Sequence, residues 1–474
     1  MEALNAIVSE INGFLWSSVI IILLVGAGFY FTVRTRGVQI RYFTKMFSLI
    51  TESAGKKTAG NEISPFQAFC VSTASRVGVG NIAGIAIAIT AGGPGAIFWM
   101  WFIAIIGSAT GFVESTLGQI YKVPREDGTG FRGGAAYYLK NGLGHGLWAA
   151  IFAILISVTY GMIYNSVQSN TIALALSSSL GLDRMLIGGV VTVLAMAVIC
   201  GGMGRIARVT EWMVPIMAGI YILITLGIML FNITEMPRVF GIIFRDAFDF
   251  QAVFGGGMGA AVLTGFKRGL FSNEAGEGSV PNAAATADAS HPAVQGLIQS
   301  FGVYVDTLFI CSASAFIVLL TGDYTSTGLT GIELIQWDLA QYFGPMAPKA
   351  VSILIFLFAF TSLIGNYYYG EINIGHLTKK KWPLNLFRLC IAVMIFWGSQ
   401  ADLPLVWNLA DLFMAFMILT NVTAILLLFP QANACLKDYE RQLKEGIQTP
   451  FFHKNVLPSQ KGIYWWDKEN NYKE

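Results

Sequence analysis

Ser64-Pro-Phe-Gln-Ala-Phe-Cys-Val-Ser-Thr-Ala-Ser-Arg-Val-Gly-Val-Gly-Asn-Ile-Ala-Gly84 reads as an apolar span interrupted in its middle by two glycines that flank one valine. Gly78 and Gly80 stand beside Ser75, Arg76 and Asn81, a combination that makes a poor lipid-facing helix and a good unwound segment. In a bilayer, backbone N–H and C=O groups released from a helix are tolerated only where protein or a cavity satisfies them. A half-helix N-terminus attracts a carboxylate, and freed carbonyls can ligate a cation. The simpler reading of the same glycines is close helix packing. Arg76 weighs against it, because a central intramembrane arginine is costly unless it faces a polar cavity or a partner. A structural pair with Glu114 is the other role open to Arg76.

Composition puts this segment in a membrane. Only 12% of the 474 residues are charged and 54% are hydrophobic, against roughly 25% charged in a soluble domain. Windows of about 20 mainly apolar residues recur at 13–33, 64–92, 95–121, 147–180, 186–203, 211–231, 253–287, 294–321, 350–370, 384–398 and 405–429. The expected fold is therefore all-α integral membrane with eleven transmembrane helices. The first, behind the acidic stretch Met1 to Gly13, lacks the basic flank of a signal peptide and reads as a retained helix. A net charge of +2 confined to loops points to no nucleic-acid partner. The five cysteines, Cys70, Cys200, Cys311, Cys390 and Cys435, have no metal spacing and read as reduced packing residues.

Charge placement sets the expected orientation. With the N-terminus outside, 23 Lys and Arg fall in inside segments and four, Arg184, Arg238, Arg245 and Lys349, fall outside, as the positive-inside rule requires. The second span then runs outward and the seventh inward, five helices apart, and both are Gly-rich and interrupted. Two five-helix units that begin with broken helices of opposite sense are the mark of an inverted-repeat transporter. The expected organisation is an N-terminal helix and cytoplasmic loop (1–62), a first five-helix repeat (63–231), an extracellular connection (232–252), a second, inverted repeat (253–429) and a cytoplasmic tail (430–474). The stretch Phe244 to Phe250 is a candidate for the external interface, and Trp465 and Trp466 put part of the tail at the membrane surface.

The seventh span contains Gly265-Phe-Lys-Arg-Gly-Leu-Phe-Ser-Asn-Glu-Ala-Gly-Glu-Gly-Ser-Val-Pro281. Lys267, Arg268, Glu274 and Glu277 cannot all face lipid, so the segment is expected to be broken, internally paired and partly wet. Phe271 is a natural aromatic lid over a small substrate, or core, and Ser272 and Asn273 offer polar contacts. Thr361 and Ser362 follow the apolar run Ile353 to Phe360, and their hydroxyls suit a hard cation such as Na⁺, or bond back to their own helix. Gln168, in the polar patch Tyr164 to Asn170, can meet a substrate or pack helices. Asp306 is an ionisable group at depth, hence an ion or proton candidate with a structural pairing as the alternative. Glu114 and Asp411 lie nearer span ends and read as structural.

The stretches Val77-Gly-Val-Gly-Asn-Ile-Ala-Gly84, Gly92-Gly-Pro-Gly-Ala-Ile-Phe-Trp-Met-Trp101, Arg268-Gly-Leu-Phe-Ser-Asn-Glu-Ala-Gly276, Asp306-Thr307 and Tyr367-Tyr-Tyr-Gly-Glu371 together resemble the alanine or glycine:cation symporters, of the leucine-transporter-fold superfamily. The resemblance covers nearly the whole chain. It implies a leucine-transporter-like 5+5 core after the first helix, a plasma-membrane location, and Na⁺ (H⁺ in some members) driving uptake of a small neutral amino acid, with no other cofactor. It places substrate carboxylate contacts on the backbone of Val79 and Gly80. A shared sodium site would use the carbonyls of Ala74, Val77 and Phe358 with the hydroxyls of Thr361 and Ser362, and Gln168 and Phe271 become substrate contacts. One departure is Asn366, in a stretch where alanine and glycine carriers usually have tryptophan. An amide there enlarges or polarises the site if it faces substrate. Arg76-Val77 and Asn165 to Asn170 are also similar to sodium/glutamine symporters, so alanine or glycine and glutamine are expected at parity.

Two other classes fit less well. An ion channel also uses broken helices and carbonyls, but no pore-loop repeat is present. An enzyme would need a metal or nucleophile constellation, and His145, His291, His376 and His453 are expected in loops or the tail.

Overall fold

The computed structural model describes residues 2–54, 63–125, 128, 130–249, 257–322 and 324–467. Lys56, Lys57, Lys468, Lys473, Phe250 and the expected start of the seventh span at 253 lie outside the described residues. The protein is all-α and integral to the membrane. Among the described residues nine helices are long and apolar enough to cross a bilayer, and Arg184–Ile199 is a shorter apolar helix. The only sheet among them is a hairpin of two-residue strands, Val123–Pro124 and Phe131–Arg132.

Several expected boundaries move. The first helix begins at Glu2, ahead of the expected span, and passes through a π turn at Leu15–Val19. Its polar side is taken up by the last helix, with Asn12 Nδ2 donating to Asn408 O at 2.8 Å and Asn408 Nδ2 donating to Asn5 Oδ1 at 2.8 Å. The last helix does not end at Pro430 but runs Leu403–Lys444. Proline removes one ladder hydrogen bond, and burial of Ala432, Cys435, Leu436 and Tyr439 beyond it carries the helix through. The fifth span stops at Ile199, where Cys200 and Gly201 turn the chain. His376 lies in the last turn of Ala347–Leu377, and His291, fully buried, caps Pro292–Val303, so neither sits in an open loop.

Three further helices follow from amphipathic stretches between spans. Met236–Ala247 lies over the start of Gly95–Ile120, where Asp246 Oδ2 accepts from Gly95 N at 2.7 Å. Phe43–Ala54 and Gly331–Phe343 pack on the core.

The tail is corrected most. Trp466 is buried against the protein, not seated at the membrane surface. Its Nε1 donates to Gln119 O at 3.0 Å, its ring meets Phe452 at 5.3 Å, and the ammonium of Lys122 lies 4.6 Å from its centroid. The indole N–H finds an acceptor at the end of Gly95–Ile120, which is what allows a tryptophan to be buried whole. Trp466→Ala is expected to cost about 3 kcal/mol and to lower the midpoint of thermal unfolding in detergent, while Trp465→Ala, at the half-buried neighbour, leaves it nearly unchanged.

Two helices are broken where glycine-rich sequence predicted. The first runs Pro65–Arg76, then Val79–Gly92; the second runs Gly257–Asn273, then Val280–Ala284. The first half of each packs against the second half of the other, so the two broken helices lie antiparallel at the centre of the bundle. Gly95–Ile120, Asn165–Leu180, Ala347–Leu377 and Leu403–Lys444 surround them.

Candidate functional site

The first break is set by capping on one side and by glycine on the other. Ser64 and Gln67 form a reciprocal capping box that starts Pro65–Arg76. The helix ends at Val77 (φ −82°, ψ 86°), passes through extended Gly78 and restarts at Val79. Gly78 N turns to Asn81 Oδ1 at 2.9 Å, so Ala74 O loses its helical donor. A Cβ on Gly78 would come within 2.3 Å of Ser362 Oγ and 2.9 Å of Gln168 Oε1. Glycine is required there because two other helices reach into the gap.

Five oxygen-bearing residues converge on one side of this break. Ser362 Oγ lies 2.8 Å from Ala74 O, 3.4 Å from Val77 O and 3.1 Å from Phe358 O, and Thr361 Oγ1 donates to Phe358 O at 2.8 Å. One hydroxyl hydrogen cannot satisfy three carbonyls. The backbone oxygens of two helices are thus gathered more densely than Ser362 alone can use.

On the other side lies the N-terminus of Val79–Gly92. Val79 N donates to Gln168 Oε1 at 3.1 Å, so an amide oxygen stands where the helix dipole favours an anion. Phe271 lies on Gly80, where a Cβ would fall 2.7 Å from the ring. Tyr164 at 4.7 Å and Trp407 at 4.8 Å complete an aromatic wall with Phe271. Above it Arg268, its guanidinium 4.5 Å from the Trp407 centroid, is paired with Asp411, which Lys267 also approaches at 3.6 Å. Neither Tyr164 nor Trp407 stands out in the sequence as part of a wall, because single aromatics in apolar spans carry no signal of their own.

The remaining candidates divide into three groups. Ser75 Oγ lies 2.7 Å from both Glu274 Oε1 and Asn366 Oδ1, and Asn366 Nδ2 donates to Asn165 Oδ1 at 3.1 Å. Ser272 Oγ and Asn81 Nδ2 donate to Asp306 at 2.6 and 2.5 Å, joined by Thr307 Oγ1 at 2.9 Å, while Asn273 Nδ2 donates to Thr307 at 3.2 Å. Ser272 and Asn273 therefore point toward Asp306 rather than toward Gln168. Arg76 bonds to the backbone of Pro292–Val303, while its Nε and Nη2 are buried with no hydrogen-bond partner among the described residues. Its Nη1 donates to Gln299 O at 3.2 Å and packs against Gly302, and it forms no ion pair with Glu114.

Glu114 instead braces the second break. Its carboxylate accepts from Gly276 N and Gly278 N, each at 3.2 Å, and from Asn421 Nδ2 at 2.9 Å. Gly276 and Gly278 have φ of +91° and +78°, which suit glycine and let both N–H groups face one carboxylate. Glu277 Oε2 accepts from Tyr160 at 2.7 Å and Tyr164 at 3.3 Å, and so ties the break to the aromatic wall.

Residues 1–454 match the profile of the sodium:alanine symporter family. The chain belongs to that family. Its relatives include the probable sodium/glutamine symporter GlnT of Bacillus subtilis, 50% identical over 98% of this chain and 96% of the relative. The amino-acid carrier protein AlsT of the same organism is 46% identical over 98% of each chain, and the sodium/alanine symporter AgcS of Methanococcus maripaludis is 38% identical over 89% of this chain and 94% of its own. As a member of the sodium:alanine symporter family the chain is a multi-pass membrane transporter, with Na⁺ implied as the coupling ion.

Proposed function

We propose that the protein is a sodium symporter that imports a small neutral amino acid across the cell membrane by alternating access. The observation that carries the reading is the convergence of Ala74 O, Val77 O, Phe358 O, Thr361 Oγ1 and Ser362 Oγ beside the unwound Val77-Gly78. Five oxygens in one place suit Na⁺, a hard cation. The substrate carboxylate takes the position of Gln168 Oε1 at the N–H groups of Val79 and Gly80, and the side chain lies under Phe271. Ion and carboxylate share one unwound segment, so each orders it for the other, and that linkage is reciprocal.

Ser75 and Asn366 extend the site with polar groups, and Asn366 together with the relationship to GlnT supports glutamine beside alanine and glycine. Ser272 and Asn273 act on this reading through Asp306, the candidate for a second ion or a proton. A guanidinium held on Gln299 O gives Arg76 a structural part. The antiparallel broken helices support the 5+5 inverted repeat, with Arg184–Ile199 and the broken segment 257–284 completing eleven spans. Its repeats are 63–231 and 253–429, with the N-terminus outside and the tail cytoplasmic.

Uptake of labelled alanine, glycine and glutamine into proteoliposomes, with and without an inward Na⁺ gradient, tests the proposal. Gradient-driven accumulation of at least one is expected; accumulation of none overturns it, and accumulation driven only by a pH gradient transfers the coupling to H⁺. Gly80→Ala is expected to force the Phe271 ring aside at a cost of about 1–3 kcal/mol. That appears as roughly tenfold weaker half-saturation by amino acid, with expression unchanged.

A further inference from the structure

A cavity of about 550 Å³ opens where the first span ends and the last helix continues past Pro430. Arg34, Arg36 and Arg41 line it from one side, and Lys437, Arg441 and Lys444 from the other. Two glutamates share the walls, and both are engaged. Glu440 holds Arg41 at 2.6 Å, and Glu445 holds Arg441 at 2.8 Å. Arg34, Arg36, Lys437 and Lys444 are exposed and form no ion pair among the described residues. Four uncompensated cations face one space.

The turn that presents Arg34 and Arg36 is held in place. Arg36 has φ +56°, an uncommon conformation for a side-chain-bearing residue, followed by Gly37 at +66°. Arg41 holds this turn by donating to Thr35 O at 3.0 Å and Arg36 O at 2.8 Å. The site is thus an ordered concavity, and its charge calls for an oxyanion of the phosphate class.

The surroundings decide where the phosphate comes from. Phe29, Tyr30 and Val33, in the last turns before Arg34, are exposed on a helix that crosses the membrane. Tyr30 ties that surface to the cavity, its ring 5.8 Å from the Arg34 guanidinium and 5.3 Å from Phe429 of the last helix. An acyl chain covers the first while its headgroup fills the second, whereas a free phosphate uses only the cavity. We propose that this cavity binds the phosphate of an anionic phospholipid, as basic pockets between membrane helices do. The inference requires only that the chain lies in a bilayer and is independent of what it carries.

The test is native mass spectrometry of the full-length, delipidated protein titrated with phosphatidylglycerol, with phosphatidylcholine of the same acyl chains, and with inorganic phosphate. Phosphatidylglycerol is expected to bind more tightly than phosphatidylcholine. Each near-surface cation contributes about fivefold, so Arg36→Gln with Lys437→Gln is expected to weaken phosphatidylglycerol roughly 25-fold and leave phosphatidylcholine unchanged. Arg36→Lys with Lys437→Arg retains binding. Equal binding of the two lipids, undiminished binding by the glutamine variant, or loss in the charge-conserving one overturns the proposal. So does displacement of the lipid by equimolar inorganic phosphate, which would make the site one for free phosphate.

Discussion

Ser362→Ala is expected to raise the Na⁺ concentration for half-maximal uptake by about 10- to 100-fold. The hydroxyl is within reach of Ala74 O at 2.8 Å, on the helix that leads into the break, and of Phe358 O at 3.1 Å, on its own helix. Removing one oxygen from a cation shell has a cost on the scale of a hydrogen bond to a charged group, about 1.5–3 kcal/mol. Thr361→Ala removes a second proposed ligand, and the double variant is expected to lose Na⁺ stimulation altogether while still folding, since both side chains are small. Ser362→Thr keeps the oxygen and is expected to retain stimulation. The measurement is initial uptake rate against external Na⁺ at fixed amino acid. Unchanged Na⁺ dependence in the double variant would sink the assignment of these five residues to the ion.

The second large effect is expected on folding. Glu114→Ala leaves three buried donors, Gly276 N, Gly278 N and Asn421 Nδ2, with no carboxylate to receive them. At about 1–3 kcal/mol for each of three unsatisfied groups, the total loss is roughly 3–9 kcal/mol, a large fraction of a protein's stability. Little monodisperse protein is expected by size-exclusion chromatography, and a thermal midpoint matching wild type would show that the break has another support. Glu114→Gln is expected to be intermediate, because its amide oxygen accepts while its NH₂ meets another donor. Gly278→Ala attacks the same brace from the backbone side, with φ +78° and a Cβ 2.7 Å from Asn421. These variants separate the two breaks, one failing in ion dependence and the other in folding.

How far the sequence carried depended on the kind of interaction. Helix positions were legible because hydropathy is local: Lys381–Gln400 and Ala347–Leu377 lie where apolar windows predicted them. The ends were not, as the continuation through Pro430 and the burial of Trp466 illustrate, because packing across the molecule decides where a helix stops. The breaks were legible because Gly78, Gly276 and Gly278 mark backbone that no other residue fits easily. The partners of buried charges were not. Glu114 could pair with Arg76 on sequence grounds, yet it caps two glycine N–H groups, and Asp411 turns out to hold Arg268 above the aromatic wall.

The sequence by itself determined an all-α membrane protein with two glycine-broken helices, and its motifs pointed to the symporter family. Only the tertiary structure decided which groups meet at each break. Ala74 and Ser362 are 288 residues apart and meet because Ala347–Leu377 packs against the first break. A carbonyl's freedom to bind an ion depends on the neighbour that replaces its lost helical donor, and that neighbour belongs to the packing and not to the local chain.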